Sequence, residues 1–225
     1  MNPFQFRSLR RTSMARFLAA VLILAPLCGC QSTYYAAWET LGKHKRDLLR
    51  DYVLSASKGQ EAAKVEFKDA LTRLKEITSF DGGKLEEAYR LVEKDHKRCS
   101  DRAASIRGRI KDIEDVSAAL FKEWEQEITT YSSDTLRASS QSKLRETRQR
   151  YGTLHTALQR SSDSMTPVLA RLNDQALFLK HNLNAQAIGA LKGEVVSIDS
   201  DIQRLITEMN VSISRADEFI KGFPQ

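Results

Sequence analysis

The sequence predicts an all-α chain, folded as an elongated antiparallel bundle of about four long coiled-coil-like helices. Three observations carry that prediction. Beyond residue 30 the only prolines are Pro167 and Pro224. The same region is rich in Ala, Leu, Glu, Lys, Arg and Gln, residues that lose little on entering a helix. Its apolar residues also recur at alternating steps of three and four, in four separate runs, which is the spacing of a buried helical seam.

The chain does not open with one of these helices. Residues 1–16 carry Arg7, Arg10, Arg11 and Arg16 and no acid, and an apolar run, FLAAVLILAPL, follows at residues 17–27. Eleven residues are too few for a membrane-spanning helix, which needs roughly 20. A basic start, a short apolar stretch and small residues after it are the parts of a secretory signal. Leu27-Cys28-Gly29-Cys30 then resembles the lipobox of bacterial lipoproteins, with Cys28 standing where Ala or Ser is usual. Carried over by position, the resemblance makes residues 1–29 a lipoprotein signal peptide and Cys30 the lipidated residue. It leaves residues 30–33 as a short anchored tether and residues 34–225 as the helical domain. Gln31 follows Cys30. In Gram-negative lipoproteins a residue other than Asp there implies the inner leaflet of the outer membrane, facing the periplasm.

The formal charge of +6 comes largely from this segment. Four of the 35 basic residues lie before Cys30, leaving 31 against 29 acids. A nearly balanced chain gives no reason to expect a nucleic-acid partner. Beyond Cys30 the only cysteine is Cys99, so no disulfide framework is expected.

The four runs can be read in order. The first passes through Leu49, Val53, Ala56, Gln60, Ala63, Phe67, Ala70, Leu74 and Ile77. The second passes through Leu85, Tyr89, Val92, His96, Cys99, Ala103, Ile106, Ile110, Ile113, Ser117, Leu120, Trp124, Glu127 and Tyr131. The third follows Leu144, Thr147, Tyr151, Leu154, Leu158, Ser161, Met165, Val168, Leu172, Gln175 and Leu179. The fourth follows Ile188, Leu191, Val195, Ile198, Ile202, Leu205, Met209, Ser212, Ala216 and Phe219. FDGG (80–83), YSSD (131–134) and KHNLN (180–184) separate them. Glycines stop a helix readily, and Ser, Asp and Asn can cap the next one. Short connections make neighbours antiparallel. Pro167 lacks an N–H, so a kink is expected in the third helix. Chain direction then puts FDGG and KHNLN together at one tip, with YSSD and the C-terminus at the anchored end.

Candidate sites are few. Tyr34, Tyr35 and Trp38, followed by Lys43, Lys45 and Arg46, could lie at lipid headgroups, where amphipathic rings and cations collect. Ordinary packing and a solvated helix face account for the same residues. Lys143, Arg145, Arg148 and Arg150 form a second basic run, in which Glu146 offers a helix pair to Arg150. His96 and Cys99 make an H-x-x-C pair, but a metal wants three or four such ligands. With His44, His155 and His181 scattered, the pair reads as core, and no metal or cofactor is expected. S-x-x-K occurs at Ser55/Lys58 and Ser140/Lys143 without the motifs that accompany it in acyl-transfer enzymes. No phosphate loop or dinucleotide fingerprint occurs, and no enzyme activity is expected. The triplet Asn210-Val211-Ser212 has no meaning as a glycosylation signal on a helix.

The stretches YYAAWETLGKHKRDLL, SFDGGKLEEAY, ALFKEWEQEI, KLRETRQRY and LFLKHNLNAQAI together resemble an uncharacterised family of proteobacterial lipoproteins classed as a domain of unknown function. The resemblance covers nearly all of the chain after Cys30. It implies an exported helical lipoprotein and assigns no catalytic residue. The expected role is a non-catalytic envelope lipoprotein, a tethered rod whose tip meets an envelope protein partner. Asp81, Gly82, Lys180, His181, Asn182 and Asn184 are the tip candidates. The alternative is a peripheral lipid-binding protein that uses the aromatic and basic residues beside the anchor. Oligomeric state is left open, because heptad seams serve one chain or several.

Overall fold

The computed structural model describes residues 34–35, 42–78, 85–182 and 185–223. The chain divides into two units, residues 1–44 and 45–225. In the first, the Tyr34 and Tyr35 rings meet edge to face with centroids 5.4 Å apart. Gly42 adopts a positive φ of 78°, a backbone conformation that other residues reach only with strain.

The second unit is a four-helix bundle: α1 Lys45–Thr78, α2 Leu85–Ile128, α3 Asp134–His181 and α4 Ala185–Lys221. Among the described residues there is no strand. α3, with 48 residues, is about 70 Å long. Each helix packs on the next and α4 packs back on α1, closing the ring.

Printed on the surface of that ring is its antiparallel register. Lys45 meets Glu123 at 2.9 Å and Arg102 meets Glu66 at 2.6 Å across α1 and α2. Arg148–Glu125 (2.6 Å) and Arg107–Thr166 (3.0 Å) span α2 and α3. Arg171–Asp201 (2.6 Å) spans α3 and α4, while Lys64–Asn210 and Lys75–Asp199 (both 2.7 Å) join α4 to α1. Ion pairs at a protein surface are worth roughly 0–1 kcal/mol each. They mark alignment, and apolar burial supplies the cohesion.

The seams of α1 and α4 are buried as their spacing predicts, and so is that of α3, apart from a half-buried Tyr151. α2 departs from expectation at both ends. Asp95, not His96, faces inward, because Arg73 reaches across from α1 and holds both carboxylate oxygens, with Nη2 donating at 2.6 Å. The bond to Asp95 raises the Arg73 pKa. Toward its C-terminus the buried face runs through Val116, Phe121 and Ile128, while Glu127 and Tyr131 are exposed. The apolar run around VSAALF offers two faces, and the one that packs on α3 is used.

The helix ends obey local chemistry. Ser133 has extended backbone (φ −86°, ψ 119°) and its hydroxyl accepts from the Leu136 N–H, capping α3. At the other end of α3 the Asn182 N–H donates to the Phe178 and Leu179 carbonyls. Pro167 lies on the exposed face of a continuous α3. The helix is not split there: the carbonyl deprived of a donor belongs to exposed Asp163, where water can serve it.

Candidate functional site

The sequence candidates distribute unevenly over this frame. Cys30, Trp38, Asp81, Gly82 and Asn184 lie outside the described residues. Tyr34 is exposed and Tyr35 buried. Lys43 is exposed, and Arg46 sits 3.8 Å from Asp47. The Lys45 ammonium is bound to Glu123 of α2, so one member of that basic cluster serves helix packing. In the second basic run, Lys143 and Arg150 both reach Glu146, and Arg148 reaches Glu125.

The motif serines are also occupied. Ser55, through its carbonyl and hydroxyl, accepts from the Arg109 guanidinium, with the carbonyl at 2.7 Å. Ser140 accepts from the Trp124 indole N–H at 2.8 Å. Cys99 is buried in the core, and burial pushes its thiol up to about 12, with Glu66 and Asp95 adding to the effect. A thiolate is the nucleophile and the metal ligand, so this cysteine is inert below strongly alkaline pH. Among the described residues, no group of three or more His, Cys, Asp or Glu side chains is placed to hold a metal ion. Nor is any helix among them long and apolar enough to cross a membrane.

Two open grooves mark the bundle surface. One, of about 370 Å³, lies between α1 and α2 and is lined by Tyr52, Ser55, Ser105, Gly108, Arg109 and Asp112. The other, of about 550 Å³, lies between α3 and α4 and includes Gly152, Thr156, Arg160 and Arg215. Between α2 and α3, Glu114 accepts from Gln159 at 2.8 Å and meets His155 Nε2 at 2.6 Å, with the Tyr151 ring stacked on the imidazole. Burial raises the Tyr151 pKa. This cluster clamps α2 to α3.

The end of the bundle where α3 finishes exposes apolar side chains, as the α2–α3 turn does through Tyr131 and Leu136. Leu177 and Phe178 are exposed at 50% and 37%, directly before Lys180, His181 and Asn182. The α2–α3 register set by Arg107–Thr166 and Arg148–Glu125 puts Leu91 level with Asn182, and Leu91 is 39% exposed. Three large apolar side chains are therefore presented to solvent at the end that carries the described tip candidates. Only Leu179 of the LFL triplet belongs to the buried seam. Sequence reasoning chose the polar residues of KHNLN and passed over Leu177 and Phe178. The available signal was an apolar run wider than one seam requires.

No curated protein and no solved structure matches the chain. A family model described as "Protein of unknown function (DUF2959)" matches residues 34–223, and the chain belongs to that family.

Proposed function

We propose that the protein is a non-catalytic lipoprotein of the Gram-negative cell envelope. In this reading Cys30 is lipidated after removal of residues 1–29 and holds the chain on the inner leaflet of the outer membrane. Several buried acyl groups anchor a chain firmly where a single one does so marginally. The bundle then acts as a rod that displays its α1–α2 and α3–α4 end to a protein partner in the periplasm. Connectivity supports that polarity, since the anchor leads into the start of α1 and α1 runs toward that end.

The observation that carries the reading is the exposed set Leu91, Leu177 and Phe178 beside Lys180, His181 and Asn182. Large apolar side chains rimmed by polar ones are what protein contact surfaces present. A bundle packed with Leu, Ile, Val and Ala offers a docking end more readily than an enclosed reaction chamber.

The test is crosslinking in intact cells, followed by capture and mass spectrometry. Wild type is compared with Cys30→Ser, with His181→Ala/Asn182→Ala and with Leu177→Ser/Phe178→Ser. A specific envelope protein captured by the wild type, and lost from the tip variants at unchanged helicity, supports the proposal. Capture that survives every tip variant overturns the docking end. Phospholipid crosslinked to Tyr34, Tyr35 or the 43–46 segment in place of protein would support the lipid-binding alternative.

A further inference from the structure

Three side chains in the middle of the bundle break its rule. Gln60 of α1, Ser161 of α3 and Ser212 of α4 are each 0% exposed. The Gln60 amide oxygen and nitrogen and both serine hydroxyls have no hydrogen-bond partner among the described residues. A buried polar group left unpaired costs about 1–3 kcal/mol, and native structures rarely carry several without reason.

They share one level. Lys64–Asn210 aligns α1 with α4 so that Gln60 falls within one turn of Ser212. Arg171–Asp201 and the contact of the Tyr151 and Phe219 rings align α3 with α4 so that Ser161 falls within one turn of the same place. Three helices thus bring their orphaned groups to a single layer of the core. The levels on either side hold aliphatic side chains, among them Leu158 and Met209.

The serines also differ from other hydroxyls in this molecule. Ser117, Thr147, Thr153, Thr156, Ser164 and Thr207 each donate to a carbonyl three or four residues earlier in their own helix. That is the usual way for a helical hydroxyl to satisfy itself. Ser161 and Ser212 do not take it. Their hydroxyls are committed to the interior, where no protein group answers them.

We infer that Gln60, Ser161 and Ser212 form an internal hydration site, binding one or two water molecules at the centre of the bundle. Water suits the chemistry. The site offers amide and hydroxyl groups of both hydrogen-bonding senses, and none of the three is charged. Serines stand at this level on seams that carry Leu158, Met165 and Met209 nearby, and a water takes about 30 Å³. A bound water of this kind commonly makes about three hydrogen bonds, the number of side chains converging here. The site requires one register of α1, α3 and α4. Sliding any of them by a heptad would put its polar group against aliphatic neighbours.

The experiment uses the full-length protein labelled with ¹⁵N and compares it with Gln60→Leu, Ser161→Ala and the double variant. Rotating-frame cross-peaks between long-lived water and the Gln60 side-chain amide are expected in the wild type. Ser161→Ala should lower the folding equilibrium constant when Gln60 is present and have little effect in Gln60→Leu. The double-mutant cycle would then show a coupling of roughly tenfold. A dry site overturns the inference: no water cross-peak to the Gln60 amide, and a cycle that closes with no coupling. So does a crystal structure in which Gln60 bonds directly to either serine with no ordered water between them.

Discussion

Where α2 turns into α3, the bundle is finished with aromatic rings and side-chain bonds. Phe121 and Tyr151 meet edge to face at 5.5 Å, Tyr151 touches Phe219, and Phe219 packs on Phe223 at 4.9 Å. Arg148 lies over the Phe121 ring, Ser133 caps α3, and Arg137 ties Asp134 to the Tyr131 carbonyl. At the opposite end, Leu91, Leu177 and Phe178 stand in solvent. Each end leaves large apolar side chains exposed, since Leu136 (57%) and Tyr131 (38%) also face solvent at the first. What sets the first apart is the packed set of rings that ties its helices together.

Substitutions can break that contrast or sharpen it. The largest effect should follow Phe219→Ala, which empties the aromatic cluster and should cost about 3–5 kcal/mol in urea unfolding. A loss below about 1 kcal/mol would mean that the rings do not hold that end together. Next comes alkali. The folded Cys99 thiol has a pKa of about 12, against an ordinary value of 9.0. Its contribution is fully present below pH 9 and is lost as pH rises toward 12. Wild type should therefore lose up to about 2 kcal/mol more than Cys99→Ala by roughly pH 10.5. Parallel pH profiles for the two proteins would refute the buried thiol. Ser133→Ala should cost about 1 kcal/mol by removing the α3 cap, measurable as a lowered unfolding midpoint. Leu177→Ser with Phe178→Ser should move stability by no more than about 0.5 kcal/mol while weakening partner capture. A large stability loss there would place those residues in the core.

Most of the fold was legible in the sequence, because burial in a bundle repeats every three or four residues. Three of the four seams follow their spacing almost residue for residue. α2 strayed where periodicity gives no unique answer. Phe121 competes with Leu120 in an apolar run, and Asp95 is buried through Arg73, a partner 22 positions away that no local pattern reveals. The proposed docking end was legible in part. KHNLN marked its place, but the polar residues drew attention, and Leu177 and Phe178 are exposed because they lie off the face on which α3 buries Leu179. Gln60, Ser161 and Ser212 each lay on a seam in the sequence. That they share one level became visible only once the helices were aligned.

Closure of the ring has a consequence for assembly. Arg73 and Asp95 join α1 to α2 across 22 positions, whereas Lys64 and Asn210 join α1 to α4 across 146. Bringing the more distant pair together costs about 2 kcal/mol more in chain entropy. The three hairpin contacts should therefore form early and the α1–α4 contact last, once the rest is in place. Tension applied ahead of Lys45 would fall first on its bond to Glu123 of α2 and then run along both flanks of α1. A chain held by its N-terminal side would yield by peeling α1 from α2 and α4 before its other helices part.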